Sequence, residues 1–301
     1  MRNMLLVFSV LAAVVVPLPG QQAAWQPAPG TVTLSLWPHG APGGQTGAGP
    51  ETNSATAKDN IAGQPIIRLG NVTDPTVTVY AAKENPNGQA VVVFPGGGYQ
   101  ILAIDLEGTE ICKWLNSIHD TCVLLKYRVP NSGPYPKSSA ALQDAQRALG
   151  LVRANAAEWH INPDHIGVLG FSAGAHLAAA LSTHFEQRLY DPVDDSDKLS
   201  CRPDFALIIY PGYLAFAQQN MAFNPDLRVT NQTPASFLIQ AEDDFAHVEN
   251  SLLYYRALKD AGVMAEMHLY AKGGHGYGIR HTALPITDWE DLATKWLQGM
   301  Q

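Results

Sequence analysis

The chain has 301 residues, 46% hydrophobic and 15% charged, with 27 acidic against 19 basic side chains and a formal net charge of −8. This is a globular composition, long enough for one large α/β domain or two small ones, and it excludes a disordered chain. The acidic balance, with no Lys/Arg cluster, excludes a nucleic-acid binder that relies on phosphate contacts, and it suits a neutral or cationic substrate better than a polyanion.

Met1-Arg2-Asn3 is followed by an apolar run from Met4 to Val16 and then by Pro17-Leu18-Pro19-Gly20. One positive charge, a short apolar stretch and a Pro/Gly break predict a secretory signal peptide within residues 1–24. The run is short for a membrane span, so the expectation is a secreted or periplasmic protein with no membrane attachment once the leader is removed. Residues 25–65 are rich in Pro, Gly, Gln and Thr and read as an irregular arm ahead of a single domain over 66–301.

From there the pattern alternates. Strand-like apolar runs fall at Val77–Ala81, Ala90–Phe94, Cys122–Tyr127, Ile166–Phe171, Phe205–Tyr210, Phe237–Gln240 and Met264–Tyr270. Helical periodicity falls at Leu106–Ile118, Ser139–Ala157, Ala173–His184, Val248–Ala261 and Thr287–Gln298. Strands alternating with helices predict an α/β fold with a mostly parallel central sheet covered on both faces. The long segments 185–204 and 211–233 are the expected builders of a pocket wall. Cys112, Cys122 and Cys201 read as small buried residues; export would permit a disulfide, but three cysteines cannot all pair within one chain.

Gly170-Phe171-Ser172-Ala173-Gly174 places a serine at a strand-to-helix corner. A corner that sharp strains its middle residue, and glycines on either side remove side chains that would clash. The hydroxyl then stands at the carboxyl edge of the sheet, beside helix N-terminal amides that favour a developing oxyanion. Serine needs a base. His275, in Gly273-Gly274-His275-Gly276, lies on a glycine-rich loop after the last strand and is the candidate. The carboxylate that orients it comes from Glu242-Asp243-Asp244, with Asp243 and Asp244 both open and Glu242 the weaker choice. A glycine run after a buried strand, Phe94-Pro95-Gly96-Gly97-Gly98, offers backbone amides to the same oxygen. Neither a phosphate-binding spacing nor a C-x-x-C metal pair is present, and this chemistry requires no cofactor and no metal.

These four stretches together, with Leu125-Lys126-Tyr127-Arg128-Val129-Pro130, resemble the secreted α/β-hydrolase esterases related to acetyl-xylan and feruloyl esterases, in the esterase/lipase superfamily. The resemblance runs from about residue 65 to the end. It implies the α/β-hydrolase fold with a small cap or none, Ser172 as nucleophile, His275 as base, Asp243 as acid with Asp244 its neighbour, and amides near Gly97 or Gly98 and at Ala173 as oxyanion donors. Many members carry histidine before the glycine run where this chain has Pro95, a change expected to alter loop support more than chemistry. The implied substrate is a small ester or acylated carbohydrate. Tyr99, Tyr213 and Tyr277 are candidates for stacking on its sugar or aryl groups. No paired-carboxylate site emerges, which argues against glycosidic cleavage. A prolyl-oligopeptidase-type peptidase usually carries propeller repeats upstream, and none precede residue 65. A non-catalytic relative would lack one of the three side chains, and a lipase would want an apolar lid where segment 185–204 is rich in aspartate.

Overall fold

The computed structural model describes residues 24–44 and 49–301. The expected leader, apart from Ala24, lies outside the described residues. Eight strands form one sheet: β1 (Val32–Ser35), β2 (Thr76–Tyr80), β3 (Ala90–Phe94), β4 (Thr121–Lys126), β5 (Ile166–Phe171), β6 (Phe205–Ile209), β7 (Ala235–Ala241) and β8 (Ala265–Tyr270). Their order is β1-β2-β4-β3-β5-β6-β7-β8. The pairs β1/β2 and β2/β4 are antiparallel and all others are parallel. The helices are α1 (Glu110–Ser117), α2 (Ala140–Ala154), α3 (Ala173–Thr183), α4 (Glu249–Asp260) and α5 (Trp289–Gln298).

The central strands β3, β4, β5 and β6 are buried along their whole length, as expected of parallel strands covered on both faces. Helix α3, AGAHLAAALST, is buried through its first ten residues, so its small side chains let it lie against the sheet. Gly167 of β5 is required by packing: a Cβ there would sit 2.0 Å from the Phe205 ring. In register, Gly170 of β5 stands opposite Phe94 of β3 and Ile208 of β6. This alignment brings the serine corner and the glycine run to one edge of the sheet.

Two expectations are corrected here. The arm is not irregular throughout, because Val32–Ser35 pairs with Thr76–Tyr80 and forms the edge of the main sheet. All three cysteines are buried, as expected, and the disulfide left open is formed between Cys112 of α1 and Cys122 of β4, so the reading of these two as merely small buried residues gives way, while Cys201 is free. Their segments are adjacent because α1 packs directly on β4, a neighbourhood that a ten-residue spacing does not reveal. Among the described residues no helix is long and apolar enough to cross a membrane.

Candidate active site

Ser172 sits between β5 and α3 with φ 52° and ψ −114°, a conformation that non-glycine residues rarely adopt. Neighbouring backbone holds it there. Its amide donates to the Ile209 carbonyl at 3.0 Å, and its carbonyl accepts the amides of Ala175 and His176 at 3.1 and 3.2 Å. The flanking glycines are obligatory: a Cβ on Gly170 would meet the Gly174 carbonyl oxygen at 2.0 Å, and one on Gly174 would meet the Phe94 carbonyl oxygen at 2.0 Å.

The Ser172 hydroxyl lies 2.7 Å from His275 Nε2. His275 Nδ1 lies 2.9 Å from both carboxylate oxygens of Asp244. With Nδ1–H donating to that carboxylate, Nε2 is free to accept the serine proton. Asp244 is buried, and it also accepts the Ala246 amide at 2.7 Å and the Gln240 side-chain amide at 3.1 Å.

Asp243, which the family resemblance had matched to the acid, does not reach the imidazole. Its Oδ1 accepts the Gly273 and Gly274 amides at 2.9 and 2.8 Å. The Gly274 amide foremost holds its carboxyl below the usual carboxylate range. The reason for the exchange is the turn that follows β7. The Asp244 amide closes onto the Ala241 carbonyl, which sends the second carboxylate inward and leaves the first to brace the loop that carries His275. Glu242 is exposed.

Gly97 (φ +135°) and Gly98 (φ +64°) line the cavity beside Ser172, and Ala173 opens α3. Among the described residues none accepts a hydrogen bond from the amides of Gly97, Gly98 or Ala173. Helix polarity adds partial positive charge at Ala173. The cavity measures about 890 Å³, and its walls are largely apolar, including Ile61, Ile101, Tyr213, Phe216 and Phe245. Phe245 is 78% exposed and its ring lies 4.6 Å from that of His275.

Of the three tyrosines expected to meet substrate, only Tyr213 lines the cavity. Tyr99 is buried with its hydroxyl 2.8 Å from His176 Nδ1, and Tyr277 is buried against the Tyr210 ring at 4.5 Å. Both fill the interior behind the site. Segment 211–233 contributes to the cavity wall, whereas segment 185–204 does not reach it. Instead, Arg147 and Arg188 hold that second segment through Asp194 and Asp197.

Sequence reasoning missed Glu107 and Tyr210. Glu107 is buried at the cavity; one oxygen accepts the Gly96 amide at 2.7 Å and the other the Tyr210 hydroxyl at 2.8 Å. Burial raises its pKa against those two donors. Burial also pushes Tyr210 far above the ordinary phenol range, so it stays a donor. The only local signal is an acid-glycine pair, Glu107-Gly108, at the start of an amphipathic helical pattern in which Glu110 and Lys113 are charged as well. Among the described residues no group of three His, Cys, Asp or Glu side chains is arranged to hold a metal ion.

A sequence-family model described as "alpha/beta hydrolase fold" matches residues 91–227. An acetylxylan esterase of Xylanibacter ruminicola is 30% identical over 219 residues, 65% of this chain and 42% of that protein. An endo-1,4-beta-xylanase B of Butyrivibrio fibrisolvens is 26% identical over 223 residues, 68% of this chain and 35% of that protein. This chain thus spans less than half the length of these two relatives. The solved acetyl ester-xyloside bifunctional hydrolase of Caldicellulosiruptor lactoaceticus superposes with a TM-score of 0.67 at 35% identity, covering 76% of this chain and 89% of that one. The serine corner at the carboxyl edge of a mostly parallel sheet, joined to that degree of identity over nearly the whole of a solved relative, makes this chain a member of the α/β-hydrolase family within the esterase/lipase superfamily.

Proposed function

We propose that the chain is a serine carboxylester hydrolase that removes acetyl or similarly short acyl groups from plant-type polysaccharide or oligosaccharide. The observation that carries this reading is the continuous line Ser172 Oγ–His275 Nε2 at 2.7 Å and His275 Nδ1–Asp244 at 2.9 Å. Ser172 Oγ attacks the ester carbonyl carbon while its proton passes to His275 Nε2. The Asp244 carboxylate, held by its own two donors, stabilises the imidazolium that forms. The negative charge on the former carbonyl oxygen meets the amides of Gly97 or Gly98 and Ala173. Collapse of the tetrahedral species breaks the ester C–O bond. The alcohol leaves with the proton from His275, and the acyl group remains on Ser172. Water then gives a proton to His275 and attacks the acyl carbon; the bond from that carbon to Ser172 Oγ breaks, Oγ takes the proton back from His275, and the acid leaves.

The names of the acetylxylan esterase and the acetyl ester-xyloside hydrolase support an acylated xylan-type substrate. Glu107, the buried cavity carboxylate, has both oxygens engaged, which supports ester over glycoside cleavage. The size and apolar lining of the cavity favour one broader reading, in which feruloyl and other larger acyl groups are also accepted. The Cys112–Cys122 disulfide and the apolar N-terminal run support export to an oxidising compartment.

The test is a panel of acetyl-xylan, a feruloyl ester, p-nitrophenyl esters of rising chain length and a peptide, run on the chain and on Ser172→Ala. Short acyl esters are expected to be cleaved, with turnover falling at least about 10³-fold in the variant. Equal rates for the two proteins would sink the assignment.

A further inference from the structure

The catalytic cavity shares a wall with a second one. Tyr135 and Asp226 line both, and the second cavity measures about 350 Å³. The two spaces differ in chemistry. The first is largely apolar, whereas the second is bordered by Glu186, Gln187, Asp226 and Arg228 together with the rings of Tyr135 and His184, which meet edge to face at 4.8 Å.

Thr183, His184 and Thr230 of the second cavity bond to nearby backbone, but four of its polar side chains are unspent. Among the described residues, Glu186, Gln187, Asp226 and Arg228 make no side-chain hydrogen bond or ion pair with protein. Asp226 and Arg228 carry opposite charges two positions apart and still do not pair. Glu186, Gln187 and Arg228 are exposed and Asp226 half-buried, so their polar atoms are open to a ligand from solvent, and the cavity they border meets that of Ser172 at Tyr135 and Asp226.

We propose that this second cavity is a subsite for the carbohydrate chain that carries the ester, holding sugar units next to the acylated one. The proposal deepens the ester-hydrolase reading and rests on it. A sugar presents vicinal hydroxyls that planar carboxylate, amide and guanidinium groups bond in pairs, and C–H faces that pack on aromatic rings. Acids and a base side by side suit a neutral polyol and disfavour a polyanion. The apolar cavity then takes the acyl side of the bond and the polar one the alcohol side. Binding gathered away from the reacting bond raises kcat/KM for a long substrate over a short one.

The experiment compares p-nitrophenyl acetate with acetylated xylo-oligosaccharides, from xylobiose to xylohexaose, on the parent and on an Arg228→Ala/Gln187→Ala double variant. In the parent, kcat/KM is expected to rise at least about tenfold along the series, and in the double variant the xylohexaose-to-p-nitrophenyl-acetate ratio falls by about the same factor. Calorimetry with unacetylated xylohexaose on Ser172→Ala measures the site without turnover; the same two substitutions are expected to weaken binding at least about tenfold. A flat chain-length profile in the parent, or binding indifferent to the substitutions, overturns the subsite. Absence of p-nitrophenyl acetate hydrolysis in the parent counts against the ester-hydrolase reading instead, and the calorimetric titration still decides the subsite.

Discussion

The Tyr210 hydroxyl donates to Glu107 Oε1 at 2.8 Å and accepts the Gly278 amide at 3.1 Å. Because the other Glu107 oxygen accepts the Gly96 amide, one buried carboxylate joins the glycine loop beside Ser172 to the loop that carries His275. Both neighbours donate to the carboxylate, and only the Tyr210 hydroxyl could turn to accept instead. In Glu107→Gln the NH₂ end either faces the Gly96 donor or forces the Tyr210 hydroxyl, which already accepts from Gly278, to give up its own donation at the site. The expected result is a kcat about ten- to a hundredfold lower, with KM for p-nitrophenyl acetate within about threefold of the parent. Steady-state kinetics beside a circular-dichroism melt separates this from unfolding. An unchanged kcat would mean that the two loops hold their places without the carboxylate.

The adjacent aspartates divide their work, and the asparagine variants separate them. Asp244→Asn removes the charge that fixes the imidazole tautomer and stabilises its cation, and is expected to lower kcat by about 10³- to 10⁴-fold. Asp243→Asn keeps an oxygen for the Gly273 and Gly274 amides and is expected to lose less than about tenfold. Comparable losses in the two variants would return the catalytic role to Asp243.

Why the sequence distinguished so much of the fold and yet not these two carboxylates follows from the range of each signal. Runs such as Ile166–Phe171 and Ala90–Phe94 are buried on both faces, so their composition alone marks them as central strands. Ser172 and His275 are marked by glycines whose necessity is local. Asp243 and Asp244 share one loop and one chemistry, and only the turn back to Ala241 decides which of them faces inward. Val32–Ser35 alternates apolar and polar residues, but it is four residues long, lies within a Pro/Gly/Gln/Thr-rich stretch and half-buries only Leu34, so its pairing with Thr76–Tyr80 is a long-range fact that the local pattern does not carry. Tyr99 and Tyr277 sit on loops near the site, but whether a loop tyrosine points at substrate or into the core depends on partners far along the chain, such as His176 and Tyr210.

The glycine loop offers a contrast between two alanine substitutions. A Cβ on Gly97 would lie 2.1 Å from the Ile101 carbonyl oxygen, in a backbone conformation with φ +135° that L-residues disfavour. Gly212 also lines the cavity, but a Cβ there meets nothing within 4 Å. Gly97→Ala is expected to lose at least about a hundredfold in kcat, while Gly212→Ala folds with a melting temperature within about 2 °C of the parent. Measuring activity and melting on both proteins checks this. Retained turnover in Gly97→Ala would remove the loop from the oxyanion site.

Asp120 sets a pH dependence remote from the chemistry. It is fully buried, accepting the Asn87 and Gln89 side-chain amides at 2.6 and 3.4 Å, and burial still pushes its carboxyl up to about 6 from 3.8. The folded state therefore binds this proton more tightly than the unfolded chain. Its stabilising effect is complete below about pH 4 and is lost as pH rises to about 6, an effect of at most about 3 kcal/mol. Asp120→Asn removes the titration, and a turn of the Gln89 amide brings its Oε1, buried without a partner, to the new NH₂ in place of the Gln89 NH₂ that Asp120 accepts. Urea midpoints measured across that window are expected to fall less in the variant, which is also the more stable protein at neutral pH. Parallel curves for the two proteins would show that Asp120 is ionised throughout.

Arg280 ties the N-terminal arm to the site. It lies five residues beyond His275, is buried, and pairs with Glu110 at 2.7 Å. It also donates to the carbonyls of Ile61, Gln64 and Pro65 at 3.2, 2.8 and 3.0 Å. Ile61 of that arm and Ile66 just beyond it form part of the cavity wall. A guanidinium fork can serve a carboxylate and three carbonyls at once; an ammonium keeps the charge and cannot span them. Arg280→Lys is therefore expected to loosen the arm while leaving Ser172, His275 and Asp244 in place. Limited proteolysis should cut between residues 55 and 68 sooner than in the parent, and KM for p-nitrophenyl butyrate should rise about three- to tenfold with kcat within about twofold. If cutting and KM both match the parent, the arm holds its wall through its own packing and Arg280 serves only the Glu110 pair.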